Sequence, residues 1–327
     1  MTLTMQDAAT AEAVLEPDLP IIDPHHHLWD GPQPRYLFDD LLADLDSGHA
    51  VEATVFVNCW AMLKADGPEE MRPIGEVEFA NGIAAMSASG KYGPTKVCAG
   101  IVGDADLRLG AAVERVLERQ ERAGGGRFRG IRHILAHDPQ VKLLSPPGVM
   151  ATAGFREGFA RLQALGYTFD AWMYHPQLPE LVDLMEAFPE AKVVLNHVGG
   201  RINVGTYAQD QDAVRAAWLR DLTTLSRYPN LHVKLGGLGM PFYRLGFDRT
   251  TRDAPSAELA EAWRPLLEPC IELFGTRRCM FESNFPVDKD SCSYRNLWNA
   301  FKRIAGSSSA TEKSDLFSET ARRFYRL

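Results

Sequence analysis

The chain has 327 residues, of which 45% are hydrophobic and 24% charged, with a formal net charge of -8. That size and apolar content suit one large α/β domain or two small ones, and the acidic balance argues against a nucleic-acid or anionic-membrane partner, since either would need a basic face. No window approaches the roughly 18 apolar residues of a membrane span, which leaves a small molecule as the expected partner and the cytoplasm as the expected location.

Residues 1–17 are acidic and Ala-rich, with neither a basic n-region nor an apolar h-region, and are expected to form a flexible N-terminal segment ahead of a single domain over 18–327. A first strand at 19–23 leads into Asp23-Pro24-His25-His26-His27-Leu28-Trp29-Asp30. Alternate residues of a strand share a face, so His25 and His27 converge while His26 points away, and Pro24 is expected to end the strand and place the pair at its C-terminal mouth. The cluster lies between an aliphatic run and a Leu-Trp pair, which is unlike an expression tag. Further strands follow at 53–58, 96–102, 128–135, 167–173, 191–197, 231–236 and 278–283. Helical spacing of apolar residues marks 75–89, 109–123, 155–165, 178–188, 212–228 and 256–274, and two closing helices are expected at 294–304 and 312–327. Eight strand-and-helix units in one chain predict a (β/α)8 TIM barrel. Gly124-Gly125-Gly126 stops a helix and lacks the spacing of a phosphate loop. The five cysteines are widely spaced with no CxxC pair, against a disulfide framework or a thiolate zinc site.

In a barrel, polar residues at strand ends converge on one mouth. Arg132 and His133 end strand four, Trp172-Met173-Tyr174-His175 follow strand five, and Asn196-His197 with Arg201 follow strand six. Lys234 lies on strand seven, and Glu282-Ser283-Asn284 with Asp288 follow strand eight. These histidines and the acidic or amide groups form a nitrogen-and-oxygen set suited to zinc or manganese, and the same groups could activate water without a metal. Trp172 and Tyr174 make an aromatic wall, whereas His49, His133 and His232 are expected outside the site.

With DPHHHLWD in strand one, FRGIRHI in strand four, FDAWMYHPQ at strand five, VVLNHVGG at strand six, VKLGGLG at strand seven and FESNFPVDK at strand eight, the chain resembles the amidohydrolase superfamily. The likeness is to its second branch of TIM-barrel hydrolases, which includes sugar lactonases and 2-pyrone-4,6-dicarboxylate lactonase, and it runs from Pro20 to Leu327. It implies that His25 and His27 ligate a metal or polarise a lactone carbonyl, with His175 and His197 completing the metal set. It also implies that Arg132 holds a substrate carboxylate, a task suited to a bidentate guanidinium, and Arg201 could do the same. The departure is at strand eight, where much of the superfamily has an Asp as general base and this chain has Asn284. An amide cannot take that proton, so Asp288 or Glu282 is expected to inherit the role, with Asp288 preferred because Glu282 sits deeper. The expected function is hydrolysis of a lactone or carboxylic ester of a small carboxylated metabolite, aromatic- or sugar-derived. A non-oxidative decarboxylase or hydratase of the same superfamily, and a non-catalytic metabolite-binding barrel, are the alternatives. Metal occupancy and a homo-oligomeric state are left open.

Overall fold

The computed structural model describes residues 12–31 and 34–327. Eight parallel strands run in chain order around one sheet: β1 (Ile21–His26), β2 (Val51–Val57), β3 (Lys96–Gly103), β4 (Phe128–Ile134), β5 (Thr168–Trp172), β6 (Val193–Leu195), β7 (Leu231–Leu235) and β8 (Cys279–Phe281). A parallel bridge between His26 and Phe285 joins the two ends of the sheet, so the protein is a (β/α)8 barrel. The surrounding helices are α1 (Phe38–Leu45), α2 (Ile74–Ala88), α3 (Val113–Ala123), α4 (Ala153–Ala164), α5 (Leu178–Ala187), α6 (Gln211–Leu225), α7 (Ser256–Phe274) and α8 (Tyr294–Ile304), followed by helical turns over 310–325. None of the helices among the described residues is long and apolar enough to cross a membrane.

Strand alternation sorts side chains onto two faces. Ile21, Phe56, Phe169, Val193 and Leu235 join the large apolar cluster between strands and helices. Ile22, Val55, Val57, Val194 and Met280 form a second cluster that Phe324 and Tyr325 complete from the C-terminal turns. Polar residues occupy the remaining inward positions, nearer the C-terminal ends of the strands.

One expectation is corrected. Pro24 does not end β1, which continues to His26 across a register shift between Asp23 and His26. A proline is tolerated there because the irregular pairing asks no N–H of it. The helix α1 was not anticipated; with eight residues, it offers little more than two turns of pattern. Of the expected flexible segment 1–17, residues 1–11 lie outside the described residues. Beyond them, Leu15 N–H donates to Asn299 Oδ1 at 2.8 Å, and Lys302 Nζ donates to the carbonyls of Leu15 and Glu16, each at 2.8 Å.

Candidate active site

The ends of β1, β4, β6 and β8 bring a closed group of polar side chains together. His25 and Glu282 are fully buried, and His27 and His197 almost so. Glu282, one residue beyond β8, lies between two imidazoles: Oε1 is 2.7 Å from His197 Nδ1 and Oε2 is 2.7 Å from His25 Nδ1. His197 also donates its backbone N–H to Oε1 at 3.2 Å. The contact with His25 is out of line for a hydrogen bond, so Oε2 is a buried carboxylate oxygen without a donor. His27 Nε2 is 3.2 Å from His25 Nε2, and its Nδ1 is 2.8 Å from Val57 O. A carbonyl only accepts, so the proton of neutral His27 sits on Nδ1. His26 turns away to Thr54, with Nε2 2.8 Å from Oγ1.

Arg132 approaches from β4 with Nη1 3.2 Å from His25 Nε2. Its Nε donates to Asn58 Oδ1 at 2.8 Å and its Nη2 to Asn58 O, which fixes the guanidinium against the end of β2. Beneath it, Lys234 Nζ lies 3.3 Å from His25 Nδ1.

Burial sets the protonation states. It pushes His25, His27 and His197 well below the ordinary imidazole value, helped by the charge of Lys234 at His25 and of Arg132 at the other two, so all three are neutral with lone pairs available. Burial pushes Glu282 up to about 8, opposed by the Lys234 charge and the His197 N–H. Asp288 is pushed up to about 7, again by burial, opposed by the N–H of Gly239 and by Asn284.

The structure brings some of the expected residues together and separates others. His25, His197 and Glu282 place ligand atoms within 4.8 Å of one another, and form the group of this kind among the described residues. His27 reaches that group only through His25. His175 is not part of it, because β5 ends at Trp172 and His175 stands three residues further on in a short turn. There its Nδ1 accepts from Ile202 N–H at 3.2 Å and its ring meets Tyr207 at 5.2 Å. Asp288, preferred from the sequence as the proton acceptor, is set behind Asn284, which donates Nδ2 to Oδ1 at 2.8 Å, while Gly239 N–H donates to Oδ2 at 3.0 Å. Asn284 adopts a left-handed backbone, φ 53°, which turns the loop away after Glu282.

The mouth is walled by aromatic rings. Trp172 packs edge-on to His197 at 4.7 Å and to Tyr174 at 5.6 Å, and Phe242 completes that side. Arg201 lies over the Trp218 ring at 5.7 Å with a buried Nε that has no partner. Its charge, after burial, helps lower His175 to about 4. On the other side the loop after β2 holds Trp60 and Met62 in left-handed conformations, φ 63° and 52°, with 46% and 40% of their surfaces exposed. The Trp60 indole N–H donates to Asp104 Oδ2 at 3.0 Å. Buried Glu76 of α2 grips the loop through the N–H groups of Cys59 and Ala61, at 2.8 and 2.9 Å.

Asn58 and Asp170 escaped the sequence reading. Asp170 alternates with Trp172 in FDAW, and a carboxylate at an inward strand position was the available clue. Asn58 carries no such mark.

A divalent metal is consistent with these residues. Two neutral imidazoles and a carboxylate form an N,N,O set suited to zinc or manganese, and the orphaned Glu282 Oε2 is an oxygen that a cation would satisfy.

An amidohydrolase family model matches residues 22–327. An uncharacterized protein of Sinorhizobium fredii, y4mH, is 32% identical over 334 residues, covering 95% of this chain and 99% of the relative. L-fucono-1,5-lactonase of Burkholderia multivorans is 30% identical over 230 residues, covering 70% of this chain and 72% of the relative. Among solved structures, an amidohydrolase from Burkholderia multivorans with bound zinc superposes with a TM-score of 0.71 at 27% identity, over 94% of this chain and 99% of that one.

Proposed function

The chain belongs to the amidohydrolase family, and from that premise we propose that it hydrolyses a lactone or similar carboxylic ester of a small carboxylated metabolite. The observation that carries this reading is the Glu282 carboxyl set between His25 and His197 at 2.7 Å from each, beside the fixed guanidinium of Arg132. A buried carboxyl raised to about 8 exchanges protons near neutral pH, as a general base and acid must.

Glu282 takes a proton from water as its oxygen bonds to the lactone carbonyl carbon. The tetrahedral intermediate then collapses, the acyl–oxygen bond breaks, and the leaving alkoxide receives that proton. Arg132 supplies positive charge beside the carbonyl oxygen as its charge develops. Arg201, whose guanidinium lies over the Trp218 ring, anchors the substrate carboxylate, and Trp172 and Tyr174 flank the substrate's ring. Asp288 holds the loop after β8 through Asn284. A divalent cation would be held by His25, His197 and Glu282, and would add Lewis-acid charge at the scissile carbonyl.

Proton release on a panel of carboxylated and sugar-derived lactones tests the reading, with zinc and manganese measured on the same preparation. Stoichiometric acid without carbon dioxide is expected. Carbon dioxide released from an aromatic acid would identify a decarboxylase, and binding without turnover would identify a metabolite-binding barrel; either overturns the proposal. Loss of turnover is expected in His27→Ala, and the comparison of Glu282→Gln with Asp288→Asn identifies the carboxyl that moves the proton.

A further inference from the structure

Below the histidines the aliphatic packing of the barrel interior, with Ile22, Val55 and Val194, is interrupted by charge. Lys234 of β7 and Asp170 of β5, both wholly buried, meet there with Nζ 2.7 Å from Oδ2. The ammonium has two further protons. One goes to Pro24 O at 2.8 Å and the other faces His25 Nδ1 at 3.3 Å. Asp170 accepts in turn from Asn196 Nδ2 at 3.2 Å and from the Tyr325 hydroxyl, 3.0 and 2.8 Å from its two oxygens. Tyr325 belongs to the C-terminal turns that close the barrel from below, and its ring lies 5.3 Å from the ammonium.

A buried ion pair is a poor way to stabilise a barrel. Its desolvation offsets its attraction, and apolar residues of similar volume often do as well or better. The purpose of this pair is better read from the other contacts of the ammonium, and both fall on Pro24-His25. The register of β1 slips between Asp23 and His26, and the Pro24 carbonyl within that slip finds its donor inside the barrel. A buried carbonyl needs such a donor. The nitrogen that meets this need also faces the His25 ring, so one ammonium grips both the main chain and the imidazole of a site residue.

We infer that Lys234 is a positioning residue for His25, held in place by Tyr325 through Asp170. The kinetic part of this inference rests on the hydrolase reading; the structural part does not. Two variants test it: the double replacement Lys234→Met with Asp170→Leu, and Tyr325→Phe, which removes a single hydroxyl. Imidazole 15N–1H spectra, with the His25 resonances assigned from His25→Gln, are read on the protein as purified and without substrate. The double variant leaves the Pro24 carbonyl and the Tyr325 hydroxyl without partners and is expected to melt below the parent, with the His25 resonances shifted or broadened. On a lactone that the parent turns over, kcat should fall by roughly 10- to 100-fold with KM changed by less than about twofold, as for a misplaced catalytic group. Tyr325→Phe should produce the same pattern at smaller amplitude, and it carries the test if the double variant does not fold. Unchanged His25 resonances in a folded variant overturn the inference, as does a rise in KM with kcat intact. If the parent hydrolyses no lactone, that failure belongs to the hydrolase reading, and the spectra alone decide the role of Lys234.

Discussion

Above the apolar floor of Ile22, Val55 and Val194, the inner and outer faces of the same strands are made of opposite materials. On β7, Val233 and Leu235 point outward into the apolar layer under the helices, while Lys234 between them points inward to an aspartate and a histidine. On β5, Phe169 and Ala171 pack outward while Asp170 and Trp172 face the interior. The outer face meets helices over a long apolar contact and carries the hydrophobic stabilisation of the fold. The upper inner face has surrendered much of that to groups that need partners, and gains a preorganised site in return. Substitutions on the two faces should therefore separate activity from stability.

The largest effect should come from the inner face. Glu282→Gln keeps the shape and removes the exchangeable proton, and kcat/KM is expected to fall by about 10³-fold while the melting temperature does not drop below that of the parent, because a buried carboxyl raised to about 8 is removed. A variant that unfolds would break the distinction between the faces. The mirror experiment is Leu222→Ala on the buried side of α6, expected to cost about 4 kcal/mol in urea unfolding with kcat unchanged.

A third variant sharpens the comparison by removing a buried charge that lies away from the central site. Burial raises Glu76 from 4.5 to about 7. Its stabilising contribution is complete below pH 4.5 and is lost as the pH climbs toward 7, because the unfolded chain ionises first. Glu76→Gln should therefore be more stable than the parent at pH 8, by on the order of 3 kcal/mol, and no more stable at pH 4. Urea melts at both pH values check the sign. The smallest effect concerns the rim, which belongs to neither face. Trp60→Ala is expected to raise KM by about threefold to tenfold, the worth of one aromatic contact, with kcat and stability little changed.

Much of this organisation was legible in the chain itself. The eight strands follow from aliphatic runs between helical patterns, and the opposed directions of His25 and His26 follow from a period of two. Depth was harder to read. Asp288 and Glu282 stand six residues apart, and only the left-handed turn at Asn284 determines which of them lies against the histidines. His175 carried the residue type of a ligand, but the turn after Trp172 sets it against Ile202 and Tyr207. The partnership of Asp170 with Tyr325 spans 155 positions, and no local pattern marks a contact made across the floor of a barrel.

The two-residue alternation also works as a reading frame. Inserting one residue within β7 would send the lysine out among the helices and a valine in beside the histidine, exchanging two environments at once. Any single substitution in that strand alters only one of them. Variation in this protein should therefore be written as replacements in the strands and as length changes in the loops that ring the mouth, so that substrates can be retuned without shifting the frame that carries the chemistry.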